Sequence, residues 1–290
     1  MNKKQYYHRL LIFLPAIVAG ALVLCHAGIA LHEESKRGDV HTPADVLGRG
    51  MLFESRPLSL STPLLSPAST LLDPGEDAGW DYLDSMIFFG ESTTAHLRAR
   101  GVLTGGQKTT QVWADESGTK RLSSRLLSEP ILYPPTGEHL TLAEAVKREK
   151  PTILVLSFGL NGITDFIGNK SLYVNNYNKL ILAVREASPS TNILLQTVYP
   201  VTADCSLWQE DGKTVSSYTQ TLNDWICEIA ASHKGVRVVD TASVLRGADG
   251  CLCKEYDHSG DGVHLTADAY RSILRYLRTH PWVDDCGAEV

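Results

Sequence analysis

Met86-Ile87-Phe88-Phe89-Gly90-Glu91-Ser92-Thr93-Thr94 is the stretch on which the fold turns. Four apolar residues stop at a glycine, hydroxyl residues follow, and a helix-like segment runs from His96 to Arg100. That order reads as a buried strand, a sharp turn and a serine at the C-terminal end of the strand. In open α/β sheets, ligand chemistry collects at that edge. A serine in this place can also be a plain helix N-cap, so its partners have to be sought elsewhere in the chain.

Working outward, the first strand spans Asp84 to Gly90, and Gln111-Val112-Trp113 reads as a second, short strand after a loop holding Gly101, Gly105 and Gly106. Leu140 to Lys150 suits a helix, with Thr141 and Glu144 forming a capping box and Pro151 ending it. Thr152 to Phe158 is a continuous apolar run, as expected of a strand covered on both faces. Tyr173 to Ala187 places Tyr177, Leu180, Ile181 and Val184 on one helical side. Asn192 to Tyr199 is a further strand, Ser216 to His233 a helix, and Val236 to Asp240 a last short strand. Thr266 caps a final helix with Tyr270, Ile273 and Leu277 along one stripe. Strands alternate with helices, and no hairpin signal separates the main strands. The expected fold is a parallel sheet with helices on both faces, a three-layer α/β/α sandwich.

The N-terminus is different in kind. Residues 1–9 are polar and basic, and Leu10 to Leu31 is apolar but for Pro15 and His26. About 20 such residues cross a bilayer as a helix. The basic flank keeps the N-terminus inside and sends the rest out. The competing reading is a cleaved signal peptide at Gly28-Ile29-Ala30, although the apolar run is longer than the usual h-region. Residues 32–79 hold Pro43, Pro57, Pro63, Pro67 and Pro74 and no sustained period, which suits a linker or arm. The organised domain is expected over 80–290. The localisation expected is the cell membrane, single-pass with the domain outside, or secretion after cleavage.

Net charge is −6. The first 31 residues hold Lys3, Lys4 and Arg9 and no acid, so the remainder carries 24 basic against 33 acidic residues, or −9. That balance argues against a nucleic-acid partner, which needs clustered Lys and Arg. Of the six cysteines, Cys25 falls in the apolar segment. Cys251 and Cys253 form a Cys-x-Cys pair with no second pair at zinc spacing, so neither a metal nor another cofactor is expected. A disulfide from Cys205 or Cys286 to that pair needs an oxidising compartment.

Three loops should meet at one sheet edge. The first carries Ser92, the second is Gly159-Leu160-Asn161-Gly162 after the strand ending at Phe158, and the third is Asp261-Gly262-Val263-His264 before the last helix. These residue types suit acyl transfer. A serine hydroxyl is a weak nucleophile until a base of near-neutral pKa takes its proton. His264 is such a base, and the Asp261 carboxylate can hold its other ring nitrogen. Asn161 and the Ser92 amide can donate to an oxyanion. His258, which follows Asp257, is a local rival to His264. Trp113 and Tyr133 are candidates for a sugar-stacking platform or for ordinary packing, and Asp268 reads as a first-turn helix acid.

Gly90-Glu91-Ser92, Gly159-x-Asn161 and Asp261-x-x-His264, in that order, resemble the blocks of the SGNH (GDSL-like) hydrolases over roughly Asp84 to His280. The chain is also similar to membrane-anchored, exported bacterial members of that family. The resemblance implies a flavodoxin-like sandwich and a metal-free serine esterase or acyltransferase. It implies Ser92 as nucleophile, His264 as base, Asp261 as its orienting partner and Asn161 as oxyanion donor. Three departures stand out. Glu91 replaces an aspartate, Gly162 replaces another, and the second-block glycine has no unique match. Gly105 or Gly106 is the expected oxyanion glycine, with Gly101 a further candidate. The expected substrate is an ester or acylated glycan, with acetyl as the acyl group. The alternatives are an O-acyltransferase acting on a surface polysaccharide and a catalytically silent surface binding module.

Overall fold

The computed structural model describes residues 70–114, 117–205, 209–210 and 213–283. The apolar segment 10–31, the arm up to residue 69, Cys25 and Cys286 lie outside the described residues. Along the chain, α1 (Gly79–Asp84) leads into β1 (Met86–Gly90), and α2 (Ser92–Ala99) leaves it. The strands β2 (Ile131–Tyr133) and β3 (Glu138–Leu140) precede α3 (Leu142–Glu149) and β4 (Ile153–Ser157). After β4 come α4 (Ile163–Phe166), α5 (Lys170–Ala187) and β5 (Asn192–Gln196). Two-residue strands β6 (Gln209–Glu210) and β7 (Lys213–Thr214) lead to α6 (Val215–Ala231), β8 (Val236–Val239) and α7 (Ala267–Thr279).

The main sheet has the order β1-β4-β5-β8, and every pair in it is parallel. Val112 bridges Phe88 in parallel on the outer side of β1, so the expected strand over 111–113 survives as a single bridge. At the other edge Leu71 bridges Val238, and the Leu72 amide donates to the Val238 carbonyl at 2.9 Å. From β1 the chain thus winds first to one side and later to the other. Such a reversal opens a crevice at the strands' C-terminal ends, here between β1 and β4.

All five positions of β1 and of β4 are buried, which is why their sequences are apolar without alternation. The pleat sends successive residues to opposite faces. Ile87, Phe89, Leu154 and Leu156 pack with the apolar sides of α3, α5 and α6. Met86, Phe88, Ile153 and Val155 pack with Leu83 of α1, Leu97 of α2 and Tyr270, Ile273 and Leu277 of α7. The capping box of α3 forms as expected, with Thr141 accepting from the Glu144 amide. Thr266 caps α7 through the Ala269 amide.

Two features differ from expectation. The hairpins β2/β3 and β6/β7 interrupt the strand–helix alternation. The first turns through Pro134-Pro135-Thr136-Gly137, and its strands are too short to show a period of two. The second difference concerns α2, which begins at Ser92 rather than His96. Glu91 occupies the N-cap position, so the reading of Ser92 as a plain cap does not hold.

Among the described residues, no helix is long and apolar enough to cross a membrane. Cys205, Cys227, Cys251 and Cys253 are all free thiols. No group of three His, Cys, Asp or Glu residues among the described ones is placed to hold a metal ion.

Candidate active site

The turn after β1 is tight because Gly90 has no side chain. A Cβ there would lie 2.1 Å from Thr94 Oγ1 and 2.5 Å from the Ser157 carbonyl oxygen. The chain therefore passes directly from the sheet into α2, and Ser92 falls in the first turn at the sheet's C-terminal edge. As the first residue of the helix, its amide has no intrahelical acceptor. Tyr270 of α7 pins this turn by donating its hydroxyl to the Thr93 carbonyl at 2.7 Å.

The loop before α7 faces the same point. His264 Nε2 lies 3.3 Å from Ser92 Oγ, and His264 Nδ1 lies 2.7 Å from Asp261 Oδ2. A carboxylate accepts, so Nδ1 carries the proton and Nε2 is left to accept from the serine hydroxyl. Asp261 is itself held by the Ser259 hydroxyl at 2.7 Å and by the Val263 and His264 amides at 2.9 Å each. Burial pushes its carboxyl up, but the His264 amide and ring, the Ser259 hydroxyl and the Val263 amide outweigh it. The net effect holds Asp261 well below the usual carboxylate range. The rival His258 does not share this geometry. Asp257 turns its carboxylate onto the Gly260 and Gly262 amides at 3.0 and 3.1 Å, and so shapes the loop.

The third loop follows β4. Phe158 is fixed by two buried tyrosines, since its carbonyl accepts from Tyr173 and Tyr177 at 3.0 Å each. Glu91 reaches across from the neighbouring turn. It is 3% exposed and accepts from the Leu160 amide at 2.8 Å, the Asn161 amide at 2.9 Å and the Gly159 amide at 3.5 Å. Asn161 Nδ2 donates to the Gly118 carbonyl at 2.8 Å and to the Lys120 carbonyl at 3.0 Å.

Burial pushes the Glu91 carboxyl up to about 7 from an ordinary 4.5, with the three amides pulling it back. The folded chain therefore holds a proton here that the unfolded chain has released between those values. Stability from this group is complete below about 4.5 and is lost as pH rises through about 7. The loss is about 3 kcal/mol at most. Denaturant unfolding at roughly pH 5 and pH 8 should show the wild type losing more stability than Glu91→Gln. Equal losses in the two proteins would contradict this assignment.

The structure brings Ser92, Asn161, Asp261 and His264 together. It does not bring Gly105 or Gly106 to them. Those glycines form the turn beyond the far end of α2, where Gly105 faces Thr109 and Gly106 has nothing within 4 Å of an added Cβ. The glycine against Ser92 is Gly118, at φ 61°, where a Cβ would lie 2.6 Å from Ser92 Cβ and 2.7 Å from its Cα. Gly118 lies in the loop after the Val112 bridge, so the rule that exposes Ser92 and Asn161 after their strands would also have found it.

Trp113 and Tyr133 are not a surface platform. They are 0% and 3% exposed and meet edge-to-face at 5.9 Å, because the Val112 bridge and β2 carry them into the core. The sequence reading also missed His96, one helical turn after Ser92 on the same face. Its ring packs 4.6 Å from that of His264. Burial, with the charges of His264, Arg100 and His258, pushes His96 down to about 4, so a neutral ring lies beside His264 at neutral pH.

Among solved structures, a protein from Streptococcus pneumonia is 22% identical over 67% of this chain and 82% of that one, with a TM-score of 0.49. A carbohydrate esterase family 3 protein from Talaromyces cellulolyticus is 14% identical over 66% of this chain and 92% of that one, with a TM-score of 0.43. A GDSL-like lipase from Bacteroides thetaiotaomicron is 17% identical over 66% of this chain and 83% of that one, with a TM-score of 0.46. No curated protein matches. The model of one protein family matches residues 88–272, well over half of the chain, from within β1 to within α7. That span takes in all three loops at the sheet edge and the glycine beside Ser92, and it shows that the chain is an enzyme of the GDSL-like lipase/acylhydrolase family.

Proposed function

We propose that this acylhydrolase cleaves carboxylic esters through a covalent serine intermediate. The observation that carries the reading is the line Ser92 Oγ, His264 Nε2, His264 Nδ1, Asp261 Oδ2, with gaps of 3.3 and 2.7 Å. Ser92 Oγ attacks the ester carbonyl carbon while His264 Nε2 takes its proton, and Asp261 stabilises the imidazolium. The tetrahedral intermediate collapses, the C–O bond to the alcohol breaks, and His264 returns the proton to the leaving oxygen. Water then attacks the acyl-enzyme with His264 again as base, releasing the acid and restoring the serine. Contacts of 3.3 Å between base and nucleophile commonly tighten once substrate is bound.

The developing oxyanion needs donors on the side of Ser92 away from His264. The Ser92 amide and the amide of Gly118, whose backbone rests on Ser92, are the groups we assign. Gly118→Ala should lower kcat by about 10²–10³-fold, because its Cβ drives the loop off Ser92 and removes one donor. Steady-state kinetics, with a thermal melt to confirm folding, checks this, and an unchanged kcat would remove Gly118 from the oxyanion site.

The substrate class we propose is an acetylated glycan or other small ester at the cell surface. The apolar run 10–31 behind the basic residues Lys3, Lys4 and Arg9 supports an exported, membrane-anchored chain with the catalytic domain outside. Incubating the full chain with acetylated glycan and measuring free acetate tests the hydrolase reading. Acetyl appearing on a second glycan in place of free acetate would make the protein an O-acyltransferase with the same triad. A wild type that neither releases acid nor labels with a fluorophosphonate would overturn the serine mechanism.

A further inference from the structure

A cavity beside the catalytic edge has no part in the mechanism above. Its volume is about 390 Å³, and it is lined by Ala95, His96, Arg98 and Ala99 of α2 and by Gln107 of the turn beyond that helix. Small-ligand sites run from roughly 300 to 1,000 Å³. His96 joins the cavity to the catalytic base, since its ring packs 4.6 Å from that of His264. Ala99, a small residue at the far end, lies about 10 Å from Ser92 along the helix axis.

Arg98 gives the cavity its charge. Its Nη1 and Nη2 donate to the Val112 and Ala114 carbonyls at 3.3 and 3.1 Å. Those bonds use two of the five guanidinium donors and neutralise none of the charge. No carboxylate pairs with Arg98 among the described residues. Arg98 also stands in the last turn of α2, where a cation offsets the helix end. That end carries only about half a negative charge, so net positive charge remains. Gln107 donates one amide hydrogen to the Ala99 carbonyl at 3.1 Å and keeps its second. In a chain of net charge −6, an arginine without an acidic partner next to the base is a local feature of the site. Guanidinium and amide donors together suit a carboxylate or a phosphate.

We infer that this cavity is a subsite for an anionic group, carboxylate or phosphate, carried on the alcohol portion of the ester. The inference rests on the serine-esterase reading above. His264 returns its proton to the leaving oxygen, so the alcohol lies on the His264 side of Ser92. His96 is next along that side, and the cavity opens beyond it. An anionic unit bonded to the acylated one reaches past the two rings to Arg98. The substrate class is then an acylated glycan or other polymer that bears negative charge on the unit beside the ester.

The test uses the full chain and three substrates: an O-acetylated oligogalacturonide, the same oligomer with its carboxylates methyl-esterified, and an O-acetylated glycerol phosphate oligomer. Each kcat/KM is divided by that for 4-methylumbelliferyl acetate in the same protein, so that a general loss of turnover cancels. Wild type should favour the oligogalacturonide over its methyl ester by at least about tenfold, the effect of one charge-assisted hydrogen bond, and added salt should shrink the difference. Arg98→Gln should bring the two within about twofold, while Arg98→Lys, which keeps the charge, should retain at least about threefold. Ala99→Phe, which fills the cavity and leaves Arg98 in place, should also bring them within about twofold. A preference for the phosphate oligomer alone, lost in Arg98→Gln, would support the subsite and name its anion as phosphate. No preference for either anion in wild type, or a preference unchanged in Arg98→Gln, would overturn the inference and leave Arg98 only the carbonyls it holds. Calorimetry with the de-acetylated oligogalacturonide and its methyl ester reads the subsite without turnover. Wild type should bind the acid at least about tenfold more tightly, and Arg98→Gln should bind the two alike. A wild type without esterase activity or probe labelling would defeat the serine reading, while the calorimetry would still decide whether the cavity takes an anion.

Discussion

Ser92→Ala in the full chain is expected to lower kcat for ester hydrolysis by about 10⁴-fold or more and to abolish labelling by a fluorophosphonate. The size of the loss follows from the chemistry. Without the hydroxyl no acyl-enzyme forms, and what remains is water attacking an ester polarised by the oxyanion donors alone. The fold should be unaffected. Ser92 is the first residue of α2 and not its cap, so alanine there leaves the helix start intact. Its only side-chain hydrogen bond among the described residues is to His264, which is itself partly exposed. A thermal melt within a few tenths of a kcal/mol of wild type is therefore expected, as for surface substitutions away from packing features. Labelling that persists in Ser92→Ala would assign the nucleophile to another residue. A variant that loses activity only by unfolding would show it in the melt.

How much of this was legible beforehand depended on how local each signal was. The strand at Met86–Gly90 announced itself because burial on both faces demands a continuous apolar run and the close approach of Ser157 demands a glycine. Asp261 and His264 were legible because the carboxylate, the imidazole and the capped helix all lie within a few residues. Gly118 was missed because the short strand over 111–113 was not followed into the loop it opens, a step that favours Gly118 over Gly105 and Gly106, which precede that strand. The Val112 bridge, a single parallel contact, puts the loop beyond Trp113 at the same sheet edge as Ser92. Trp113 and Tyr133 misled because an aromatic near a loop looks alike whether it faces solvent or core, and here a short strand and a bridge turn both inward. The departures at Glu91 and Gly162 stood in the sequence as two separate changes. In space the Glu91 carboxylate, arriving from the turn after β1, accepts from three amides of the loop after β4.

The second large effect should come from Asp261→Asn, which ought to reduce kcat roughly 10⁴-fold, as the same change does in a serine protease triad. Asparagine preserves the size of the side chain and can still accept from the Val263 and His264 amides through its oxygen. What changes is the atom facing His264 Nδ1, now at 2.7 Å from a carboxylate oxygen. An amide NH₂ turned there favours the imidazole tautomer with its proton on Nε2, and that nitrogen can no longer accept from Ser92. The variant should keep KM and still fold, so the loss falls on kcat. The adjacent Asp257–His258 pair supplies an internal control. Asp257 is occupied by the Gly260 and Gly262 amides, and the His258 amide donates to the His264 carbonyl through its backbone. His258→Ala removes a side chain with no hydrogen bond to Ser92 or Asp261 among the described residues, and it should leave kcat within about threefold, an effect of the size expected for surface substitutions. If His258→Ala instead matched the loss in His264→Ala, the base would be misassigned. If Asp261→Asn remained fully active, the orientation of His264 would have to come from the packing of His96 against its ring, at 4.6 Å between centroids, and not from the carboxylate.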